Sequence, residues 1–341
     1  MAEFFFDYGL FFLKTITVVF SIAALLVLLS MSRREHTQHG LIIEKLNEKY
    51  RHMADVVRHA VMEKADWKKI AKQEKKERKE QEKAQKKNAQ RDDSTRRKRV
   101  FVLEFKGDIR ASAVSSLREE ISAIASVADE KDEVVVLIEN PGGTVHEHGL
   151  AASQLQRIRD RGIPLIAIVD KVAASGGYLM ACIADKIIAA PFAIVGSIGV
   201  LAQIPNFNKL LESHGVEFEQ ITAGKHKRTL SIFGKNTDED RAKMREELEE
   251  VHTLFKGLVS RYRSELDIEA VATGEHWYGT QAQDKGLVDD IGSSDDYLMN
   301  AVEAADVYKV CYKGKQTLLQ KIQGAMGSLL ESAGIAQRGA L

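Results

Sequence analysis

From Val100 onward, short apolar runs alternate with stretches whose apolar residues recur every three or four positions. Val100 to Phe105, Val134 to Ile138 and Leu165 to Val169 have the length and β-branched content of buried strands. Between them, Ala113 to Val127 and Glu147 to Arg161 have the period of amphipathic helices. Strands joined by helical crossovers run parallel, and parallel strands must be covered on both faces. The pattern therefore predicts an α/β domain of repeated β-α units. Further strand-like runs follow at Lys186 to Ala190 and Val216 to Thr222. A charged amphipathic helix then covers Thr237 to Leu266, opened by Thr237 as N-cap with Asp240 three residues on.

What precedes the domain has a different character. Phe4 to Met31 is apolar, with Asp7 and Lys14 as its only charges, and its uninterrupted part, Thr15 to Met31, is 17 residues long. That approaches the lower limit for crossing about 30 Å of hydrocarbon, and Lys14 can snorkel to extend it, so one transmembrane helix is expected. A cleaved signal peptide fits less well. Acidic Glu3 and Asp7 lie before the run, Arg33 and Arg34 lie after it, and no small-x-small cleavage site follows. From Glu63 to Arg99 the chain is nearly all Lys, Arg, Glu, Gln and Ala, and after Ile70 neither an apolar face nor an aromatic residue recurs. This reads as a basic spacer, helical or disordered, with membrane lipid headgroups as its second use. Nucleic acid is not expected as a partner, because nothing interleaves to stack on bases. The 341 residues carry 49 basic and 49 acidic side chains, so net charge selects no polyanionic partner. Two cysteines, Cys182 and Cys311, are too few for a disulfide framework or a Cys-rich metal site. The expected organisation is an anchor over residues 1–34, a spacer over 35–99, the α/β domain over 100–313 and a C-terminal tail over 314–341. The tail has an amphipathic stretch from Leu318 to Leu330.

Turns after the carboxyl ends of parallel strands are where sites form in such folds. In Glu139-Asn140-Pro141-Gly142-Gly143, the two glycines leave backbone N–H groups free to meet an oxyanion, although by itself the string reads first as a tight turn. In Ala173-Ala174-Ser175-Gly176-Gly177-Tyr178, a serine flanked by small residues sits between a strand and an apolar helix from Tyr178 to Ala184. There it is either a nucleophile or a helix cap. A nucleophilic serine needs a base. No acidic spacing singles out one of His146, His148, His214, His226, His252 and His276, and most of these read as surface residues. Gly224-Lys225-His226-Lys227-Arg228 offers a lysine instead, which serves as base if burial disfavours its ammonium form. Spacing alone does not choose between Lys225 and Lys227.

Several of these strings, in this order, resemble the SohB-type peptidases of the signal-peptide-peptidase A family. They are Asn140-Pro141-Gly142-Gly143, the run Asp170 to Tyr178, the run Val195 to Val200, Gly224-x-x-Lys227, and Gly274 to Trp277 followed by Gly286-Leu287-Val288-Asp289. The resemblance covers the anchor, the spacer and the domain to about Asn300. It implies the ClpP/crotonase-like fold, Ser175 as nucleophile, Lys227 as base and Ser197 as the group that orients the lysine. It also implies oxyanion donors from Gly142 and Gly143 of the first glycine turn and from the backbone at Ser175 and Gly176. Asn140 departs from the serine or aspartate that many relatives carry, which bears on how the oxyanion loop is held. Glu147, Glu275 and Asp289 have no part in this chemistry, and neither a metal nor a cofactor is called for. The expected activity is that of a serine endopeptidase acting by a Ser-Lys dyad on peptides or membrane-associated polypeptides. The enzyme is expected as a homo-oligomer in the bacterial inner (plasma) membrane. The signals for its sidedness oppose each other, since Arg33 and Arg34 favour a cytoplasmic domain and better-known relatives act on the outer face. A non-catalytic membrane scaffold with the same fold predicts loss of Ser175 or Lys227, and both are present. An acyl-CoA enzyme of the crotonase type does not account for the anchor.

Overall fold

The computed structural model describes residues 6–7, 9–19, 21, 40–63, 69, 72–73, 76, 79–80, 96–224 and 227–314. The chain forms a compact unit of residues 43–311 and a second unit made of residues 1–42 with 312–341. In the second unit, residues 6–7, 9–19 and 21 are helical. Among the described residues no helix is long and apolar enough to cross a membrane. The expected span from Thr15 to Met31 falls largely outside the described residues, as do most of the spacer beyond residue 63 and the amphipathic stretch from Leu318 to Leu330.

The chain enters through β1 (Gly40–Lys45) and α1 (Leu46–Val61). Three β-α steps follow, β2 (Arg99–Lys106) and α2 (Val114–Ala125), β3 (Glu133–Glu139) and α3 (Val145–Arg159), then β4 (Leu165–Val169), β5 (Val172–Ala174) and α4 (Gly176–Ala181), and after them β6 (Lys186–Ala189) and β7 (Ile194–Gly196). After them come α5 (Asn208–Ser213), α6 (Asp238–Tyr262), α7 (Ile268–Val271), β8 (His276–Tyr278), α8 (Gly279–Asp284), β9 (Asp290–Ile291), α9 (Ser294–Ala304) and β10 (Asp306–Lys313). The main sheet runs β1-β10-β2-β3-β4-β6-β9, parallel from β10 to β9. A small second sheet, β5-β7-β8, pairs β5 with β7 in parallel and β7 with β8 antiparallel.

Period-two alternation sorts the strand residues between two cores. Phe101, Leu103, Phe105, Val134, Val136, Leu165 and Val169 pack with Leu117 and Ile121 of α2, Leu155 and Ile158 of α3 and Tyr178 of α4. Val100, Val102, Val135, Ile166 and Ile168 face the other way, against Leu46 of α1 and Leu298 of α9. The parallel sheet, buried on both faces, is the architecture that the apolar runs imply.

Three sequence expectations change. Residues 43–61 belong to the compact unit and not to the spacer. Asn47, itself buried, donates to the carbonyls of Val302 (2.9 Å) and Ala305 (2.8 Å) and accepts from the Val307 N–H (2.8 Å), which fastens α1 to the end of α9. One buried amide does this inside a strongly charged helix, so hydropathy gives no warning of it. The tetrad Arg96 to Arg99 is likewise ion-paired, with Arg96 and Arg99 converging on the fully buried Asp132 and Lys98 reaching Glu133. Finally, Val216 to Thr222 is not a strand. It lies in an exposed arm between β7 and α6, where no neighbouring strand offers it a ladder, and its Phe218 packs instead on Phe233 at 5.8 Å between ring centroids. The helix expected from Thr237 forms as α6, and its capping box is complete: the Thr237 hydroxyl accepts the Asp240 N–H at 3.2 Å and Asp240 Oδ2 accepts the Thr237 N–H at 2.8 Å.

Candidate active site

Ser175 follows β5, a three-residue strand that the sequence reading did not separate from β4. Its backbone is held at φ 50°, ψ −118°, a region that non-glycine residues seldom enter. Two bonds impose it: the Ser175 N–H donates to the Gly196 carbonyl at 2.8 Å, and the Ser175 carbonyl accepts the Leu179 N–H at 2.9 Å. The strand before it is fixed on both sides. Asn140 N–H donates to Val172 at 2.8 Å and Ala174 N–H donates to Asn140 at 3.0 Å on one side, and β7 pairs in register on the other. The helix-cap alternative for the serine is not realised, because its side chain makes no capping bond.

The glycine turn sits directly against the serine. Gly142 has φ 94°, and a methyl added to it would stand 2.8 Å from Ser175 Cβ. Its N–H is already committed to Asn140 Oδ1 at 2.9 Å. The Ser175 N–H is likewise committed, to the Gly196 carbonyl, whereas the N–H groups of Gly143 and Gly176 have no partner among the described residues, so of the four expected oxyanion donors these two are free. Gly176 has a second duty: a methyl there would lie 2.4 Å from Cγ of His148, whose side chain packs closely on that backbone. Gly177 is similarly close to the Asn140 carbonyl, at 2.2 Å for an added methyl. The small residues around Ser175 thus let the two glycine turns close on each other.

Ser175, Gly143, Gly176 and His148 open onto a cavity of about 290 Å³ whose remaining walls are mainly apolar: Val145, Leu179, Val200, Leu254, Phe255 and Leu258 among them. It has the size and lining to hold one apolar side chain beside the serine. Ser197 lies one register step from Ser175, since Ala174 pairs with Gly196. Its φ of 54° and its N–H bond to the Glu275 carbonyl (2.6 Å) turn it out of β7 at the same end. Lys227 is not brought to this centre. It sits in an exposed turn closed by its own N–H on the Gly224 carbonyl (3.2 Å), and its side chain does not line the cavity. Lys225 and His226 lie outside the described residues.

Other candidates separate cleanly. Cys182 is fully buried, and that burial pushes its thiol up to about 12, so it offers no competing thiolate. Cys311 is only partly covered, where burial was expected. Asp289 is structural: both its oxygens take the Arg263 guanidinium, at 2.6 and 2.8 Å, and Oδ2 also accepts the Ile187 N–H. Glu275 is exposed and accepts the Thr273 hydroxyl at 2.8 Å. Glu147 is half-buried at the start of α3, 3.9 Å from His146. Among the described residues no cluster of His, Cys, Asp or Glu is arranged to hold a metal. His148 is the residue that the sequence reading missed. Grouped there with surface histidines, it is fully buried beneath the glycine turn. Its place four residues after Thr144, on the inward face of α3, was the available signal.

Residues 3–155 match Peptidase family S49 N-terminal, and residues 157–308 match Peptidase family S49. A probable protease SohB of Haemophilus influenzae is 47% identical over 320 residues, covering 92% of this chain and 90% of that protein. The chain belongs to peptidase family S49. Within S49, a probable protease SohB of Buchnera aphidicola from Acyrthosiphon pisum is 53% identical over 230 residues, with 67% of this chain and 68% of that protein covered. A putative signal peptide peptidase SppA of Enterococcus faecium is 30% identical over 220 residues, covering 61% and 64%. Among solved structures, a ClpP1 mutant from Listeria monocytogenes aligns over 59% of this chain and 94% of its own at 13% identity, with a TM-score of 0.37. The resemblance drawn from the motifs is therefore a family relationship, and the activity class is that of a peptidase.

Proposed function

We propose that this S49 peptidase is a serine endopeptidase with a ClpP/crotonase-like domain, in which Ser175 is the nucleophile and Lys227 the general base. The observation that carries the reading is Ser175 itself. It is a non-glycine residue at positive φ, with no bond from its hydroxyl, beside two uncommitted N–H groups and an apolar cavity. In the proposed reaction Ser175 Oγ attacks a peptide carbonyl and passes its proton to the Lys227 amine. The N–H groups of Gly143 and Gly176 stabilise the oxyanion. Lysine then protonates the leaving amine, and water repeats the sequence to release the acyl group. Ser197 orients the lysine, and Gly142 supports the turn while its own N–H is held by Asn140. No metal or cofactor enters any step.

Lys227 reaches the serine by movement of the arm between β7 and α6, or from a neighbouring copy. The arm's exposed Leu201, Phe207, Leu210, Phe218 and Ile221 suit contact between subunits of a homo-oligomer. Sedimentation of the detergent-solubilised chain should show an assembly at micromolar concentration, and a monomer would count against it. The N-terminal helix is proposed as an anchor in the bacterial inner membrane. Its described apolar residues are exposed, and Thr15, Thr17 and Ser21 each return their hydroxyl to the carbonyl four residues back (2.9, 2.5 and 2.8 Å), which satisfies those three hydroxyls within the helix. Substrates are then peptides or polypeptides at the membrane with an apolar residue for the cavity. The reading is tested by treating the full chain with a fluorophosphonate and mapping the adduct. Modification of Ser175, absent from Ser175→Ala, is expected, and labelling of Ser175→Ala at the wild-type rate would refute it.

A further inference from the structure

Beneath the glycine turn, one side-chain oxygen serves two donors. Asn140 Oδ1 accepts the Gly142 N–H at 2.9 Å and lies 3.2 Å from Nε2 of His148. Both residues are fully buried, and the Asn140 amide nitrogen has only Met180 Sδ, at 3.5 Å, beside it. This fixes which way the amide faces: turned over, its NH2 would oppose the Gly142 N–H, donor against donor. With Oδ1 in place, His148 has to present a proton at Nε2. A form protonated only at Nδ1 would set a lone pair against that oxygen. The ring cannot drift away from the task. Its Nδ1, 3.0 Å from the Thr144 carbonyl, makes a bond there only when it too carries a proton, so the ring's place is held by its close packing on Gly176, the residue after Ser175.

We infer that His148 is a positioning residue for the peptidase reaction: its Nε2–H keeps Asn140 turned toward Gly142 and so holds the Pro141–Gly143 turn, with the Gly143 donor, against Ser175. The inference rests on the reading of Ser175 as nucleophile. It gives a physical role to Asn140, the residue at which this chain departs from many relatives. An amide is long enough to span from the turn to α3, whereas a serine at that position is one bond shorter. His148 acts through Asn140 and transfers no proton to substrate.

Two substitutions separate this role from plain packing, because Gln places its amide nitrogen near His Nε2 and Asn places its own near Nδ1. Full-length variants are reacted with a fluorophosphonate, whose phosphoryl oxygen occupies the oxyanion position, and the inactivation rate is resolved into kinact and KI. His148→Gln should keep kinact within about threefold. His148→Asn should lose about ten- to a hundredfold in kinact, the scale of one misplaced oxyanion donor, with KI changed less than about twofold. Equal rates for the two variants, or a loss confined to KI, would overturn the inference. If His148→Asn does not fold, Asn140→Leu takes its place, since it removes the shared acceptor, and the same loss in kinact is expected. A wild-type chain that takes up no label at Ser175 would instead sink the nucleophile assignment. The positioning role is then decided by hydrogen exchange at the Gly142 N–H: protection retained in His148→Gln and lost in His148→Asn supports it, and equal protection overturns it.

Discussion

The backbone at Ser175 makes an unusual stability experiment possible. At φ 50°, ψ −118° a residue with a Cβ is strained by about 1–3 kcal/mol, whereas glycine adopts the same angles freely. Ser175→Gly removes that strain but adds about 0.5–1 kcal/mol of backbone entropy to the unfolded chain, leaving a net stabilisation of about 1 kcal/mol. Ser175→Ala keeps the Cβ and hence the strain. The hydroxyl it deletes makes no bond in the structure, so its stability should stay within about 0.5 kcal/mol of wild type. For a compact unit of this size, 1 kcal/mol moves the midpoint by about 2–4 °C. Thermal unfolding of the three full-length proteins in one detergent should therefore rank Gly above Ala and wild type by about that interval, with Ala and wild type together. Both variants should be catalytically dead. A glycine variant that melts at or below the alanine variant would refute the strain argument. It would also remove the claim that the fold holds this serine in a conformation selected for reaction and not for stability.

Two further outcomes follow from other parts of the site and its support. Lys227→Arg should be as inactive as Lys227→Ala, because a guanidinium does not give up its proton in proteins, while Lys225→Ala keeps most activity; peptide cleavage by Lys227→Arg within tenfold of wild type would return the search to a different base. Asp132→Ala should cost about 2–3 kcal/mol, the lower side of the range for broken buried pairs, because its partners Arg96 and Arg99 are 28% and 24% exposed. Burial works to raise the Asp132 carboxyl, but the Arg99 bond and its other partners outweigh it and hold the group below the usual carboxylate range. The contribution is then complete above about pH 3.9 and is lost as pH falls through the lowered folded value, so urea midpoints of the two proteins should differ at pH 6 and converge toward pH 3.

How much of this was legible in the sequence depends on which interactions encode each part. The strands β2, β3, β4 and β6 and the helices α2, α3 and α6 were readable because burial on two faces writes continuous apolar runs and burial on one face writes a 3.6-residue period. The small residues of the Asn140 and Ser175 turns follow a steric rule: Gly142, Gly176 and Gly177 stand where a Cβ would strike the facing turn or His148, so composition there is dictated by close approach. What stayed hidden rests on single polar contacts. Asn47 draws α1 into the domain through three hydrogen bonds, and the shared oxygen of Asn140 gives His148 its place. The first leaves no periodic trace, and the second leaves only the inward position of His148 on α3. Val216 to Thr222 failed for the opposite cause, since it has the alternation of a strand but no neighbour to pair with.

The same distinction explains why the proposed site divides in two. Its serine half is built from backbone register: Asn140 pairs with Ala173, Ala174 pairs with Gly196, and each pairing fixes the next residue's direction to within a bond's tolerance. The lysine half hangs on the arm between β7 and α6, whose apolar residues face solvent and one another. A lysine that accepts a proton must first have its ammonium form disfavoured, which takes cover from water, and Lys227 in its exposed turn has none. In the proposed mechanism that cover comes with movement of the arm onto the serine, from bound polypeptide or from a neighbouring copy's arm. On that reading the peptidase stays inert until Lys227 is buried, while its serine is kept in a strained geometry.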